Sequence, residues 1–540
     1  MKKEKLVSLM LIASMALGMS GCGTNIKNTE SEKGQVTAET PAWQQYADDP
    51  ITLDWYVNYS WFVTGWGENL VSKTITEETG VSVNFITPLG TEEEKLNALI
   101  SSDTLPDIIT LGWWEPQYMQ MIQNGQVYAL NELADQYDPY FYNVVNQKVV
   151  DWYTVEDGNI YAYPNSSVTP EDVEENQRIT SNETFLVRKD IYEAIGSPDM
   201  TTPEGFYSAV VKAKEMFPEV DGGDLIPIGA HVFEETGCTS FDQYLQNFLA
   251  VPFEKDGEYY DRNTDPEYIR WLKMFRQLGE DGYLADDIFV DSRTQTSEKL
   301  ATGRYFCLLY QWTDMQDQEK LLYANDPDSI YIAVEGPRNS NGDDPILPTG
   351  GINGWTVTLI SKNCEHPERA IAFIDYLLSE HGQMVTYLGV EGETYDVVDG
   401  EYVLKDDVLE ILNTNREEYD RLYGADFTYW MLQDMEMETR WKSRYQEPIK
   451  QLAEWTMQYA TYIGQYEIAV DSNSEVGIAV EKTDRLWSTT IKELLLAESE
   501  EDFDEILAEY VKKRDAMGWN LVMEEKTRQM KENKKRLGLE

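Results

Sequence analysis

The spacing of apolar and polar residues predicts alternating strands and helices in the first part of the chain. Residues 51–57 and 106–111 form short apolar runs typical of strands, and residues 81–86 alternate between apolar and polar. Helices are predicted between these strands, over residues 68–79 and 92–102. A strand–helix–strand–helix–strand order indicates an α/β lobe with a largely parallel sheet.

A second series of elements begins near residue 185. Residues 185–187 and 305–310 read as strands, and residues 201–217 read as a helix that Pro203 opens. After about residue 400 the pattern becomes predominantly helical. The expected fold class is therefore α/β, with a helix-rich C-terminal half.

The first 22 residues have the layout of a secretory signal. Three lysines precede an apolar run over residues 6–19, which is shorter than the roughly 20 residues of a membrane-spanning helix. Residues 19–22 resemble the bacterial lipobox, in which the cysteine, here Cys22, becomes the lipidated first residue. We expect a lipoprotein signal peptide over 1–21, then the lipidated Cys22 and a flexible tether over 22–47, which would hold the protein on the outer face of the cell membrane. An ordinary secretory signal with a chance cysteine is the alternative.

Length, charge and cysteine count limit the number of core units and the possible functions. The 540 residues exceed the size of a single hydrophobic core, so at least two core units are expected. A formal charge of −53 excludes nucleic-acid binding and docking on anionic lipid through a basic patch. Three cysteines remain after Cys22, and this odd, sparse set favours three buried thiols at Cys238, Cys307 and Cys364, although one pair could bridge.

Several segments carry a family resemblance in the same order along the chain. They are FLVRKDI at 185–191, GINGWT at 351–356, the helix-like PERAIAFIDYL at 367–377, and GVEG at 389–392 with Tyr395. Together they resemble extracellular solute-binding proteins of the family 1 type, the lipoprotein components of carbohydrate ABC importers. The resemblance spans roughly residues 50–540.

The resemblance implies a two-lobed periplasmic-binding-protein-like fold of type II, with a ligand cleft between the lobes. Carried onto this chain, the N-terminal lobe would comprise residues 48–163 plus 350–383. The C-terminal lobe would comprise residues 164–349 plus 384–540. It also implies an oligosaccharide ligand and partner permease subunits in the membrane.

Candidate ligand-binding residues follow from the chemistry of sugar sites, which need flat aromatic faces and planar polar groups. Ligands of open α/β sheets lie beyond the carboxyl ends of the strands, where several tryptophans of this chain fall. For each residue a structural role in packing, a turn or the solvated surface is the alternative. The candidates are Trp61, Trp113, Trp114, Asn165, Trp312, Asp314, Trp355 and Glu391, and Trp66 and Trp430 are also considered for contact with the cleft.

Catalytic and metal-binding motifs are missing from the sequence. It contains no H-E-x-x-H, C-x-x-C, G-x-S-x-G or phosphate-binding loop, so we expect no enzyme activity, no metal and no cofactor. Without coiled-coil heptads a monomer is expected. The predicted function is capture of an oligosaccharide for an ABC importer. A secreted polysaccharide-processing enzyme, which needs only two carboxylates, or a surface adhesin are the alternatives.

Overall fold

The computed structural model describes residues 37–220, 222–234, 236–441, 445–471 and 474–540. Cys22, the predicted signal peptide and most of the predicted tether lie outside these ranges. Over the ranges that are described, no helix combines the length and apolarity needed to cross a membrane.

The strands of the described ranges are mostly short, and the longer ones coincide with the apolar runs of the sequence. They are β1 (Ile51–Val57), β2 (Val81–Ile86), β3 (Ile108–Gly112), β4 (Tyr163–Pro164), β5 (Glu183–Arg188), β6 (Glu219–Val220), β7 (Gly223–Asp224), β8 (Ile226–Gly229), β9 (Glu254–Lys255), β10 (Glu258–Tyr259), β11 (Tyr305–Gln311), β12 (Tyr331–Ala333), β13 (Leu347–Pro348), β14 (Thr356–Ile360), β15 (Tyr395–Val398), β16 (Glu401–Leu404) and β17 (Ala460–Thr461).

The helices cover both sheets and dominate the last third of the chain. They are α1 (Leu70–Thr79), α2 (Glu92–Ser102), α3 (Pro116–Gln123), α4 (Leu130–Tyr137), α5 (Phe141–Val144), α6 (Gln147–Tyr153), α7 (Pro170–Glu175), α8 (Lys189–Ala194), α9 (Pro203–Met216), α10 (Leu245–Phe248), α11 (Pro266–Glu280), α12 (Arg293–Ala301), α13 (Gln316–Asn325), α14 (Pro367–Leu378), α15 (Glu380–Tyr387), α16 (Asp406–Thr414), α17 (Arg416–Leu422), α18 (Met435–Glu438), α19 (Ile449–Met457), α20 (Glu475–Leu495), α21 (Glu500–Ala516) and α22 (Trp519–Arg536).

Two larger sheets organise the molecule. The first has the strand order β2-β1-β3-β14-β4, with β1 parallel to both β2 and β3 and with β14 antiparallel to its neighbours. The second has the order β12-β5-β11-β8, in which β11 runs parallel to β8 and antiparallel to β5. Each sheet is the centre of its own hydrophobic core, so the chain has the two core units that its length predicts.

The first core extends further along the chain than the sequence analysis assigned to the N-terminal lobe. The core residues between Val408 and Leu432 pack against the first sheet, although we had assigned them to the C-terminal lobe. The sequence showed only a helical pattern there, and a helical pattern does not tell which sheet the apolar stripe covers. We correct the assignment of this stretch, and the other lobe boundaries stay predictions.

The segment before the first strand also differs from the expected flexible tether. Ala42–Gln45 forms a 3₁₀ turn, and Ala42 and Tyr46 are buried against Ala372 of α14. The Ala42 amide donates a hydrogen bond to Asp138 Oδ1 at 3.1 Å. The prediction of a flexible tether is therefore wrong for residues 42–46, because the apolar side chains among them find a surface of the first lobe to cover.

The helix-like segment at 367–377 forms α14, which ends one residue later, at Leu378. Ser379 then caps the next helix, α15, by accepting a hydrogen bond from the Gly382 amide at 3.0 Å. The three cysteines Cys238, Cys307 and Cys364 are free and buried, which confirms the prediction of three buried thiols.

Candidate ligand-binding site

Four aromatic rings meet at the carboxyl end of the first sheet. Trp61 and Trp355 are exposed, at 51% and 36%, and their planes are nearly parallel (7°) with ring centroids 6.1 Å apart. Tyr59 and Trp430 are buried beside them; the Trp430 centroid is 4.5 Å from that of Trp355 and 5.6 Å from that of Trp61. We call Tyr59, Trp61, Trp355 and Trp430 the aromatic platform.

Each ring of the platform reaches this place from a different part of the fold. Tyr59 and Trp61 lie in the loop after β1, Trp355 immediately precedes β14, and Trp430 begins the short 3₁₀ turn Trp430–Leu432. The sequence analysis selected Trp61 and Trp355. It considered Trp430 without selecting it, and it omitted Tyr59, although that residue lies only two positions before Trp61.

The Asn165 side chain connects the backbone segments that carry Trp355 and Trp430. Its side-chain amide donates to the Trp430 carbonyl at 3.0 Å, and its Oδ1 accepts from the Thr356 amide at 2.7 Å. Asn165 is 1% exposed, and both ends of its amide are used within the protein. Its role as a ligand-binding residue is corrected to a structural one, which fixes the backbone beneath two platform tryptophans.

Two carboxylates border the platform. Glu92, at the start of α2, accepts hydrogen bonds on Oε1 from the Ser60 amide at 2.7 Å and from the Ser60 hydroxyl at 3.0 Å. Glu115 accepts on Oε1 from the Gly112 amide at 2.7 Å and on Oε2 from the Asn58 side-chain amide at 2.6 Å. All of these donors are neutral, so they orient the carboxylates without cancelling their charge.

Burial and like charge both act on Glu115. Burial raises the pKa of the Glu115 carboxyl to about 7; the Gly112 and Asn58 hydrogen bonds oppose this shift, and the nearby Glu92 and Glu93 add to it. Burial, followed by the charges of Glu115 and Glu92, also raises the pKa of the Tyr59 hydroxyl. These mutual effects indicate that the carboxylates and the platform lie close together.

Trp113 and Trp114 extend the same edge of the sheet. Their rings make an edge-to-face pair with centroids 6.0 Å apart, Trp114 is 53% exposed, and Trp113 packs partly against the first core. A side chain at position 112 would collide with Trp114, because a Cβ on Gly112 would lie 2.7 Å from the indole ring. The glycine therefore lets this indole lie flat on the end of β3.

Trp312 has a different environment from the one expected of a ligand-stacking residue. It is 1% exposed, belongs to a core around the second sheet, and donates its indole N–H to the Ser181 carbonyl at 2.7 Å. Its assignment as a ligand platform is therefore corrected to a core role. The sequence placed it after a strand, but the direction of its side chain depends on the turn that follows.

Asp314 lies nearby in the second lobe and is only partly buried. Its Oδ1 accepts from the Gln311 side-chain amide at 3.2 Å, and its Oδ2 pairs with Arg293 at 3.2 Å. Burial raises the pKa of the Asp314 carboxyl, and Arg293 acts against this shift. Asp314 thus offers a polar but charge-balanced group.

A histidine that the sequence analysis did not select lies beside this group. The His231 ring stacks on Tyr310 with centroids 4.0 Å apart, and its Nδ1 is 2.9 Å from the Ser240 hydroxyl. Burial, with a smaller effect of Arg293, lowers the pKa of His231 to about 3, so the ring is neutral at pH 7. It adds a flat aromatic surface without a charge.

The remaining candidate, Glu391, lies apart from the aromatic platform and from Asp314. Glu391 is exposed in a turn, where it forms a β-bridge with Tyr395, and no contact links it to the platform. Within the described ranges, no group of three histidine, cysteine, aspartate or glutamate side chains is arranged to hold a metal ion.

Comparison with known proteins assigns the chain to a family. Residues 71–392 match the family described as bacterial extracellular solute-binding protein. The chain belongs to this family. The solute-binding protein is also 20% identical over 435 residues to the polygalacturonan/rhamnogalacturonan-binding protein YtcQ of Bacillus subtilis, a match that covers 78% of this chain and 80% of the relative. Another relative is the fructooligosaccharide ABC transporter substrate-binding protein FusA of Streptococcus pneumoniae, 23% identical over 55% of this chain and 56% of the relative.

Solved structures confirm the two-lobed α/β fold. FusA in complex with kestose aligns with a TM-score of 0.67 at 15% identity, covering 89% of this chain and 99% of that one. The alginate-binding protein AlgQ2 without calcium ion aligns with a TM-score of 0.64 at 19% identity, covering 90% of this chain and 98% of that one.

Proposed function

We propose that this solute-binding protein is lipid-anchored at Cys22, captures an oligosaccharide between its lobes, and presents it to the permease of an ABC importer. The observation that carries the proposal is the exposed Trp61–Trp355 pair with its carboxylate border. Aromatic faces cover the C–H surfaces of sugar rings, and carboxylates accept hydrogen bonds from sugar hydroxyls. The relatives named for polygalacturonan, rhamnogalacturonan and fructooligosaccharide support the same class of ligand.

Closure of the lobes would convert binding into a signal. A ligand shifts an equilibrium between open and closed forms only by the difference in its affinity for the two. The platform belongs to the first lobe, while Asp314 and His231 belong to the second. A sugar that contacts both groups would stabilise the closed form, which the permease would recognise, and no covalent step is required.

The test is calorimetric titration of the mature protein with a panel of oligosaccharides. We expect saturable binding of at least one glycan and recovery of that glycan intact. Trp61→Ala and Trp355→Ala should each weaken binding by about threefold to tenfold, since each loses an aromatic contact. Trp519→Ala, on the C-terminal helix α22, is the matched control and should bind like the parent protein. Glycan recovered in shortened or unsaturated form would refute a binding-only function and favour the enzyme alternative.

A further inference from the structure

The carboxylates around the aromatic platform have only uncharged hydrogen-bond donors in the described part of the chain. In the part of the chain that the structure describes, Glu92 and Glu115 accept hydrogen bonds only from neutral groups, Ser60, Gly112 and Asn58. Neither carboxylate forms an ion pair with a described residue. The result is a local negative potential over the exposed tryptophans.

A third carboxylate adds to this potential. Glu93 is exposed in the first turn of α2, and it acts on Glu115 together with Glu92. We call Glu92, Glu93 and Glu115 the acidic edge of the platform.

At Asp314 and His231, the described residues of the second lobe supply no unpaired positive charge. Arg293 is paired with Asp314 at 3.2 Å, and His231 is neutral at pH 7. Arg262, also in this lobe, donates to Asn247 at 2.6 Å, and Asn247 in turn donates to the buried Glu183 at 2.9 Å; the charge of Arg262 also acts on the Glu183 carboxyl. These basic groups are therefore already engaged with neighbours of the same lobe.

We propose that the site selects uncharged oligosaccharides and excludes uronate-containing ones, an inference that rests on the proposed function. Sugar hydroxyls donate to the acidic edge in charge-assisted hydrogen bonds, whereas a uronate carboxylate brings a like charge into the same space. The chain would thus differ in ligand charge from its Bacillus subtilis relative, which is named for polygalacturonan.

The size of the discrimination follows from Coulomb's law. One like charge about 10 Å away, at an effective dielectric constant between about 40 and 80, changes affinity by about twofold to fourfold. At pH 7.5 the Glu115 carboxyl, with its pKa of about 7, is mostly ionised, and the three carboxylates of the acidic edge acting together give about tenfold or more. The effect should grow when salt is lowered, because screening weakens.

The test compares ligands that differ only in charge. Trigalacturonate and its fully methyl-esterified form are titrated at pH 7.5, at low and at moderate salt, beside neutral fructo-, xylo-, galacto- and arabino-oligosaccharides and other uronate oligosaccharides. We expect a neutral oligosaccharide to bind at least tenfold more tightly than any uronate. We also expect the ester to bind more tightly than the free acid, with a larger gap at low salt.

Matched variants locate the effect. Glu93→Gln should narrow the gap between ester and acid by about twofold to fourfold, since it removes one charge of the acidic edge. Glu505→Gln removes an equal charge from the exposed side of α21, a helix that packs on the second core, and should leave the gap nearly unchanged. A uronate that binds as tightly as the neutral sugars would overturn this inference and leave the proposed function standing. Failure of every sugar to bind would overturn the proposed function and, with it, the inference.

Discussion

Asp375 is a buried acid without a hydrogen-bond partner, and its replacement should stabilise the protein at neutral pH. It lies in α14 at 0% exposure, and neither of its carboxyl oxygens has a partner among the described residues. Burial, with a contribution from the neighbouring Asp138, raises the pKa of Asp375 to about 8. At pH 7 the folded protein therefore holds a proton that the unfolded chain releases.

The cost of this proton follows from the two pKa values. An unfolded aspartate has a pKa of about 3.9, and each pH unit between that value and pH 7 costs about 1.4 kcal/mol, which gives about 4 kcal/mol. Because the folded pKa of Asp375 is raised, the protein has its full stability below about pH 4 with respect to this group. That stability is lost progressively as the pH rises toward 8.

Asp375→Asn removes the titration and keeps the shape of the side chain. We expect it to raise the free energy of unfolding at pH 7 by about 2–4 kcal/mol and to change it little at pH 4, where aspartate is already neutral. Urea unfolding followed by tryptophan fluorescence between pH 4 and 8 measures this directly. Asp396→Asn, on the exposed strand β15, is the matched control and should not alter the pH profile. Equal stability of Asp375→Asn and the parent protein at pH 7 would refute the reasoning.

Two further predictions concern the core around the second sheet and the glycine two residues before β14. Trp312→Ala should lower the free energy of unfolding by about 3–5 kcal/mol, as for other buried tryptophans. The folded variant should bind its oligosaccharide like the parent protein. A large loss of affinity without a loss of stability would contradict the core role of Trp312. Gly354→Ala should destabilise the protein in urea unfolding more than Gly400→Ala does. Both glycines have a positive φ, but only at Gly354 would the new Cβ collide with neighbouring backbone. Equal effects of the two alanines would show that contact is not the cause.

Local pattern alone was enough to predict the main elements. The strand over residues 51–57, the strand over 81–86 and the helix over 92–102 agree with β1, β2 and α2 at both ends. The spacing of apolar residues and the glycines and prolines that end elements both act within a few residues. These elements can therefore be predicted without knowledge of the rest of the chain. The family blocks and the buried thiols were equally local signals.

The candidate site was predictable only in part. Trp61 and Trp355 were selected because they border strands, and the structure brings them together, but the same rule selected Trp312, which is buried. Position after a strand limits where a side chain begins, whereas the following turn decides whether it points to solvent or to the core. Trp430 was considered but not selected, since its contact with Trp61 joins distant parts of the chain.

The sequence by itself determined the elements, their α/β order and the excess of acidic residues. Only the tertiary structure decided where individual charges and rings meet: Glu92 beside Ser60, Asp375 near Asp138, and the aromatic platform on the first sheet. The physical reason is that secondary structure follows from interactions between near neighbours in sequence. Burial, pKa and ligand contact depend on groups that become neighbours only when the sheets and helices pack.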